Sequence, residues 1–137
     1  MGTQIYFKKE VPADTNQLIE LYKDAGWSAY TKDTAKLMRA INKSAQVYCA
    51  YCEDKVVGFA RTIGDGESIT YVQDLLVHSE YRRNGIGTEL MKLIFDDNID
   101  VSKIVLLADI NDNADSFYKS LGFLRAKDVK CRAYMNI

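Results

Sequence analysis

The chain has 137 residues, with 18 Lys+Arg against 19 Asp+Glu for a formal net charge of -1, and 47% hydrophobic against 27% charged residues. That balance suits one domain, 1–137, with a sizeable core, and it excludes a disordered chain; one Pro and eight Gly exclude collagen-like and linker-rich classes. A near-neutral total supplies no global basic field for duplex nucleic acid, so any anion site has to be local.

No run approaches the roughly 18 apolar residues that span a bilayer, and IVLLADI (104–110) is only a short one. The N-terminal MGTQIYFKKE lacks the apolar core of a signal peptide, and Tyr6 stands where the myristoylation pattern requires Ser or Thr. A cytoplasmic protein with no membrane partner is the expectation.

In chain order, residues 4–9 (QIYFKK) predict a short strand. Pro12 and Asp14 then open a helix whose Leu18, Ile19, Leu21 and Tyr22 form an apolar stripe ending before Gly26. Thr31 or Asp33 caps a second helix carrying Leu37, Met38 and Ile41 at helical spacing. Between them GWSAYT (26–31) has no period: its Trp27 and Tyr30 either shape specificity or staple the two helices onto a core. Three strands follow at 46–54, 56–64 and 68–77, joined by the tight turns EDK and GDGE that predict an antiparallel meander. After Gly87 comes a helix bearing Leu90, Met91, Leu93, Ile94 and Phe95, then a strand at 103–110, a short helix from Asn113 to Ser120 stopped by Gly122, and a final strand or hairpin in FLRAKDVKCRAYMNI. This order predicts an α+β fold of three layers, αβα, with helices on both faces of a mixed, mostly antiparallel central sheet.

Cys49, Cys52 and Cys131 are an odd set, and the first two form C-x-x-C. The pair falls in a predicted strand, where residues three apart face opposite sides and cannot converge on one metal, so all three read as reduced structural thiols and no metal is expected.

The chemically informative stretch is LLVHSEYRRNGIGTELM (75–91): an apolar strand, a polar turn, a glycine-containing loop and a helix. A helix start leaves about four N–H groups unpaired at the positive end of its dipole. Gly85 and Gly87 remove the Cβ atoms that would hold a diphosphate away from them; Arg82 and Arg83 add cationic donors, and Thr88 a hydroxyl. The stretch lacks the third glycine of a dinucleotide fingerprint and the Lys-Ser/Thr of a P-loop, and alone it also fits a plain helix-entry turn.

The run Arg82-Arg83-Asn84-Gly85-Ile86-Gly87 resembles the R/Q-x-x-G-x-G/A motif of the GNAT N-acetyltransferase superfamily, and Asn111-Asp112-Asn113-Ala114, Phe117-Tyr118 and Leu121-Gly122-Phe123 resemble its N-x-x-A…F-Y-x-x-L-G-F segment. Within the superfamily the chain is most similar to small bacterial members of unassigned substrate and to plant serotonin N-acetyltransferases. The resemblance implies that acetyl-CoA lies where the fourth and fifth strands splay apart. Its pyrophosphate would rest on N–H groups from Arg83 to Thr88, and its pantetheine would pair along Leu75 and Val77. It also implies direct acetyl transfer to an amine, Tyr118 as proton donor to the departing sulfur, and Asn111 as a residue holding the cofactor or the splay.

A lysine-like amine is only about one part in 2,500 neutral at pH 7, about 4.6 kcal/mol from its reactive form, so a base is expected. Asp74 is the first candidate and Asp109 the second, because the family's frequent Glu near the start of the fourth strand is replaced in that neighbourhood by Tyr71 and Gln73. Asp74 reads equally as a structural carboxylate. His78, on the entry turn, is not taken as the base. The functional expectation is an acetyl-CoA-dependent N-acetyltransferase acting on a small-molecule or peptide amine; the alternative is a non-catalytic acyl-CoA-binding module. The C-terminal CRAYMNI is expected to be an unprotected edge strand open to a partner, a second copy in a homodimer being one such partner, and the oligomeric state is left open.

Overall fold

The computed structural model describes residues 4–137, which fall into two compact units, one ending at Leu106 and the other running from Leu107 to Ile137. In the first, β1 (Ile5–Lys8), β2 (Gln46–Cys52), β3 (Lys55–Gly64) and β4 (Ile69–Val77) form the expected antiparallel meander, and β5 (Lys103–Leu106) joins β4 in parallel, giving a five-stranded sheet in the order β1-β2-β3-β4-β5.

Helices cover both faces. Helix α1 (Thr15–Asp24) starts where Asp14 accepts a hydrogen bond from the Asn16 N–H. Asp33, of the two expected caps, opens α3 (Thr34–Asn42) by accepting from the Lys36 N–H. These helices bury Leu18, Leu21, Tyr22, Leu37 and Ile41 against Cys49, Val56, Phe59 and Leu76 of the sheet. Fully burying each such aliphatic side chain contributes about 1.5–3 kcal/mol. GWSAYT contains one short turn of helix, α2 (Ser28–Thr31), with Trp27 and Tyr30 partly buried on the same core, so the stapling role is real.

Helix α4 (Ile86–Asp97) lies on the opposite face, where Tyr48 donates to Asp97 (2.6 Å) and Asn98 meets Thr70 and Gln46. Its first turn sits directly over Gly58: a Cβ there would come within 2.7 Å of Ile86 Cγ2 and 3.1 Å of Ala50 Cβ. The missing side chain is what lets α4 begin against the sheet.

Two expectations are corrected. The fifth strand ends at Leu106 rather than residue 110, because its ladder pairs only Ile69–Val72 with Lys103–Leu106. In the second unit, α5 (Asp112–Ser120) forms as expected, but FLRAKDVKCRAYMNI makes no strand. A 3-10 turn at Ala126–Val129 ends on Lys130 at φ +62°, and the Cys131 N–H donates back to the Ala126 carbonyl. Alternating apolar residues make a strand only when a neighbouring strand takes up their N–H and C=O groups, and residues 124–137 are exposed without such a ladder. The unprotected edge strand expected in CRAYMNI is therefore absent.

Candidate active site

The site begins with an irregularity in β4. Arg61 pairs with Asp74 and Thr62 with Val72, so Gln73 has no counterpart on β3. Such a bulge bends the strand and disturbs its alternation. Val72 and Asp74, two apart, consequently face opposite sides: Val72 shares its side with Thr62, which bonds Gln46 on the α4 face, whereas Asp74 bonds Tyr22 beneath α1. The parallel ladder to β5 stops at the same place, and from Gln73 to Val77 β4 has β3 on one side and, among the described residues, no strand on the other. Leu75 and Val77 lie, half-buried, on that stretch.

Beyond Val77 the chain turns through Ser79–Tyr81 into the loop that opens α4. Arg83 and Gly85 both have positive φ, +68° and +74°. Glycine takes that conformation without strain, and an arginine there is a strained residue of the kind that gathers at binding loops. The Asn84 amide fixes the bend by donating to the carbonyls of Tyr81 (2.9 Å) and Arg82 (3.3 Å). Whereas α1, α3 and α5 each have a side-chain cap, α4 begins on Gly85 with none. Its first-turn N–H groups, at Ile86, Gly87 and Thr88, are left for an external acceptor. Arg82, Arg83, Asn84 and Gly85 are exposed, Gly87 and Thr88 half-buried, and Ile86 is buried on the sheet. A diphosphate fits this donor set, with the dipole and two guanidinium groups favouring its charge.

Asp24, the last residue of α1, holds the loop at its root. It accepts hydrogen bonds from the Ser79 hydroxyl (2.6 Å) and N–H (2.8 Å). Burial opposes its charge, but these bonds and the charges of His78 and Arg82 bring its pKa below the ordinary carboxylate value. His78 is engaged too: Nδ1 accepts from the Glu80 N–H (3.1 Å), and Nε2 lies 3.8 Å from Asp24. A groove of about 250 Å³ lined by Leu21, Lys55, Val56 and His78 opens beside α1, and neither Asp74 nor Leu75 lines it.

Asp74 lies deep under α1. Its Oδ2 accepts from the Tyr22 hydroxyl and from Arg61 Nε, each at 2.6 Å, and its side chain is 0% exposed beside an Arg61 that is 5% exposed. Oδ1 is buried and has no hydrogen-bond partner. Burial, then the Asp74 charge, pushes the Tyr22 phenol far above its ordinary pKa, so Tyr22 stays protonated and donating. Tyr30 of α2 accepts a hydrogen bond from Gln73 Nε2 (2.9 Å) and packs its ring 5.5 Å from that of Tyr22.

In the second unit Asn111 caps α5, its side-chain oxygen accepting from the Ala114 N–H (2.7 Å). Tyr118 packs edge-on against Phe117 and Phe123 at 5.0 and 5.8 Å. Burial and then the charge of Asp109 raise its pKa, keeping the phenol protonated at neutral pH. Asp109 itself is exposed and lies past the end of β5 rather than on it.

Cys49 and Cys52 are buried free thiols and Cys131 an exposed one; burial pushes the Cys49 thiol up to about 12, which makes it inert as a nucleophile. Among the described residues no group of three or more His, Cys, Asp or Glu side chains could hold a metal ion, and no helix is long and apolar enough to cross a membrane.

The sequence reading missed Asp24, Arg61 and Tyr22. Their partners lie 55, 13 and 52 residues away, and no local pattern reports such pairs. Gln73 was visible only as a residue that cannot act as a carboxylate base. Its importance as a bulge depends on the register between two strands.

Comparison with known proteins agrees with this geometry. The family model described as "Acetyltransferase (GNAT) domain" matches residues 11–136. An uncharacterized N-acetyltransferase of the ycf52-like type from Prochlorococcus marinus is 29% identical over 125 residues, covering 86% of this chain and 67% of the relative. Human N-alpha-acetyltransferase 30 is 42% identical over 69 residues, 48% of this chain and 19% of that protein. The solved structure of a GNAT-family acetyltransferase from Streptococcus pneumoniae superposes with a TM-score of 0.87 at 31% identity, covering 98% of both chains. With its mixed five-stranded sheet and a family match over nearly its whole length, the chain belongs to the GNAT acetyltransferases and is an N-acetyltransferase.

Proposed function

We propose that the protein uses acetyl-CoA and transfers the acetyl group directly to a primary amine of a small molecule or peptide. The observation that carries this reading is the continuity of two unsatisfied backbone surfaces. The open edge of β4 from Gln73 to Val77 leads through the Asp24-anchored turn into the uncapped start of α4. An extended amide-bearing arm suits the first, along Leu75 and Val77, and a diphosphate suits the second, over Arg82, Arg83, Asn84, Gly85, Ile86, Gly87 and Thr88.

Acetyl-CoA would supply the activated thioester. Arg82 and Arg83 hold charge at the loop, and Asn84 keeps the loop bent. Tyr118, half-buried and with its pKa raised by burial and then by the charge of Asp109, suits the donation of a proton to a departing thiolate, and Asn111 orders the helix that carries it. Asp74, paired with Arg61, is the candidate acceptor for the amine's proton. No cysteine intermediate is required, in keeping with the inert Cys49.

The test is isothermal titration with acetyl-CoA and CoA, followed by thiol release across arylalkylamines, polyamines, amino acids and Lys or N-terminal peptides. Saturable binding with amine-dependent thiol release is the expected result. Binding without release for any amine would favour an acyl-CoA-binding module, and no binding would overturn the assignment of the loop.

A further inference from the structure

Resting on that reading, a base at Asp74 raises a problem of access. The carboxylate is fully buried, and Oδ2 is already committed to Tyr22 and Arg61. An acceptor amine cannot touch it without dismantling the core. Yet Oδ1 is left with lone pairs that nothing satisfies, and an unsatisfied buried carboxylate oxygen is a departure for which a native fold normally has a reason.

Tyr30 stands beside this cluster: its ring packs against that of Tyr22, whose hydroxyl bonds Oδ2, and its oxygen meets the side chain of Gln73, the residue before Asp74. It is half-buried on α2, held by Trp27 (5.8 Å between rings) and by Tyr22. Its phenol oxygen accepts from Gln73, the bulge residue at which β4 loses its β5 neighbour. Because that bond uses a lone pair, the phenol's own proton remains available. We propose that Tyr30 is a catalytic proton relay, taking the acceptor amine's proton on its oxygen while passing its own proton to Oδ1 of Asp74. As the amine nitrogen bonds to the thioester carbonyl carbon, the C–S bond breaks and CoA leaves as thiolate. The nitrogen's proton goes to Tyr30 and the Tyr30 proton to Asp74, which solvent later deprotonates by the reverse path.

The charged and titratable groups that face Tyr30 are Asp74, Arg61 and Tyr22. Burial, then the negative charge of Asp74, raises the phenol's pKa, while the Gln73 bond and the Arg61 charge lower it, and the hydroxyl stays protonated. Tyr22, the other phenol in the cluster, is excluded as the relay because it is fully buried and already donates to Oδ2.

The experiment compares wild type, Tyr30→Phe and a protein with 3-fluorotyrosine at position 30, using whichever amine supports thiol release. Acetyl-CoA affinity and thermal unfolding are followed in parallel. The expected result is a kcat at least 30-fold lower for Y30F with acetyl-CoA affinity and unfolding temperature unchanged, and a shifted pH dependence of kcat for the fluorinated protein, which keeps the residue's size. Asp74→Asn combined with Y30F is expected to be no slower than Asp74→Asn alone, since both break one path. Unchanged kcat in Y30F would overturn the relay, as would a loss of acetyl-CoA affinity equal to the loss in kcat, which would mark Tyr30 as packing. Wild type that releases no thiol with any amine would overturn the transferase reading itself, an outcome distinct from an active enzyme indifferent to Tyr30.

Discussion

The two faces of the sheet each bury a polar cluster, and the clusters are built on different principles. Beneath α4, Asn98 donates to Gln46 (2.8 Å) and to the Ile94 carbonyl (2.7 Å) and accepts from Thr70 (2.7 Å), while Thr62 donates to Gln46 (2.9 Å). That cluster is neutral and its members satisfy one another. Beneath α1, Arg61 and Asp74 form a buried ion pair with Tyr22 attached and one carboxylate oxygen left over. A complete neutral network fixes geometry and asks nothing further, whereas a charged, incomplete one beside the β4 bulge retains capacity for a proton or a ligand. On the proposed mechanism, that difference separates architecture from chemistry in a fold where both are buried.

The largest expected effect breaks the charged cluster. Arg61→Ala strands the Asp74 anion in the core and should lower stability by about 3–5 kcal/mol in urea denaturation, whereas Arg61→Met with Asp74→Leu should recover most of the stability but no turnover. If the double variant still acetylates at the wild-type rate, the ion pair is architecture like the other cluster.

On the neutral side, Asn98→Ala removes three hydrogen bonds and leaves Thr70 and Gln46 without a shared partner. A loss of about 1–3 kcal/mol is expected, with kcat unchanged in protein that remains folded. A fall in kcat at constant stability would erase the distinction between the faces.

Gly85→Ala tests the loop. A Cβ at φ +74° strains the backbone by about 1–2 kcal/mol, and acetyl-CoA affinity in titration should fall about tenfold while the two clusters, and thus kcat at saturation, stay near wild type.

The smallest effect is expected at Asp97. Hydrogen bonds from Lys9 and Tyr48 hold its carboxyl below the usual carboxylate range in the folded state. The stabilisation this brings is present above the unfolded carboxylate pKa, roughly 4, and is lost as pH falls through the lower folded value. Asp97→Asn should remove this part of the acid limb in stability measured from pH 6 to 2, and an unaltered limb would show that the Lys9–Asp97 pair contributes nothing.

Much of the fold was legible because its signals are local. The caps at Asp14 and Asp33, the stripe Leu18–Leu21–Tyr22 and the turn-separated strands from Gln46 to Val77 each follow from spacing and turn chemistry within a few residues. The glycine loop and the Asn111–Phe123 segment were legible for the same reason, and they carried the family. The fifth strand was overextended and the last one misplaced because a strand is defined by its neighbour. KIVLLADI and CRAYMNI are both apolar enough to read as strands, but only the first four residues of one find a ladder.

The sequence by itself therefore determined the order of elements through α5, the uncapped glycine start of α4 and the family, since each depends on backbone propensity or on residues contiguous in the chain. Tertiary structure alone decided that Gln73 is a bulge, that Asp74 turns inward to Arg61 and Tyr22, that Asp24 anchors Ser79 and that Gly58 seats Ile86. Those facts depend on strand register and on helices meeting the sheet across 13 to 55 residues of chain, distances over which only packing, and no local preference, brings side chains together.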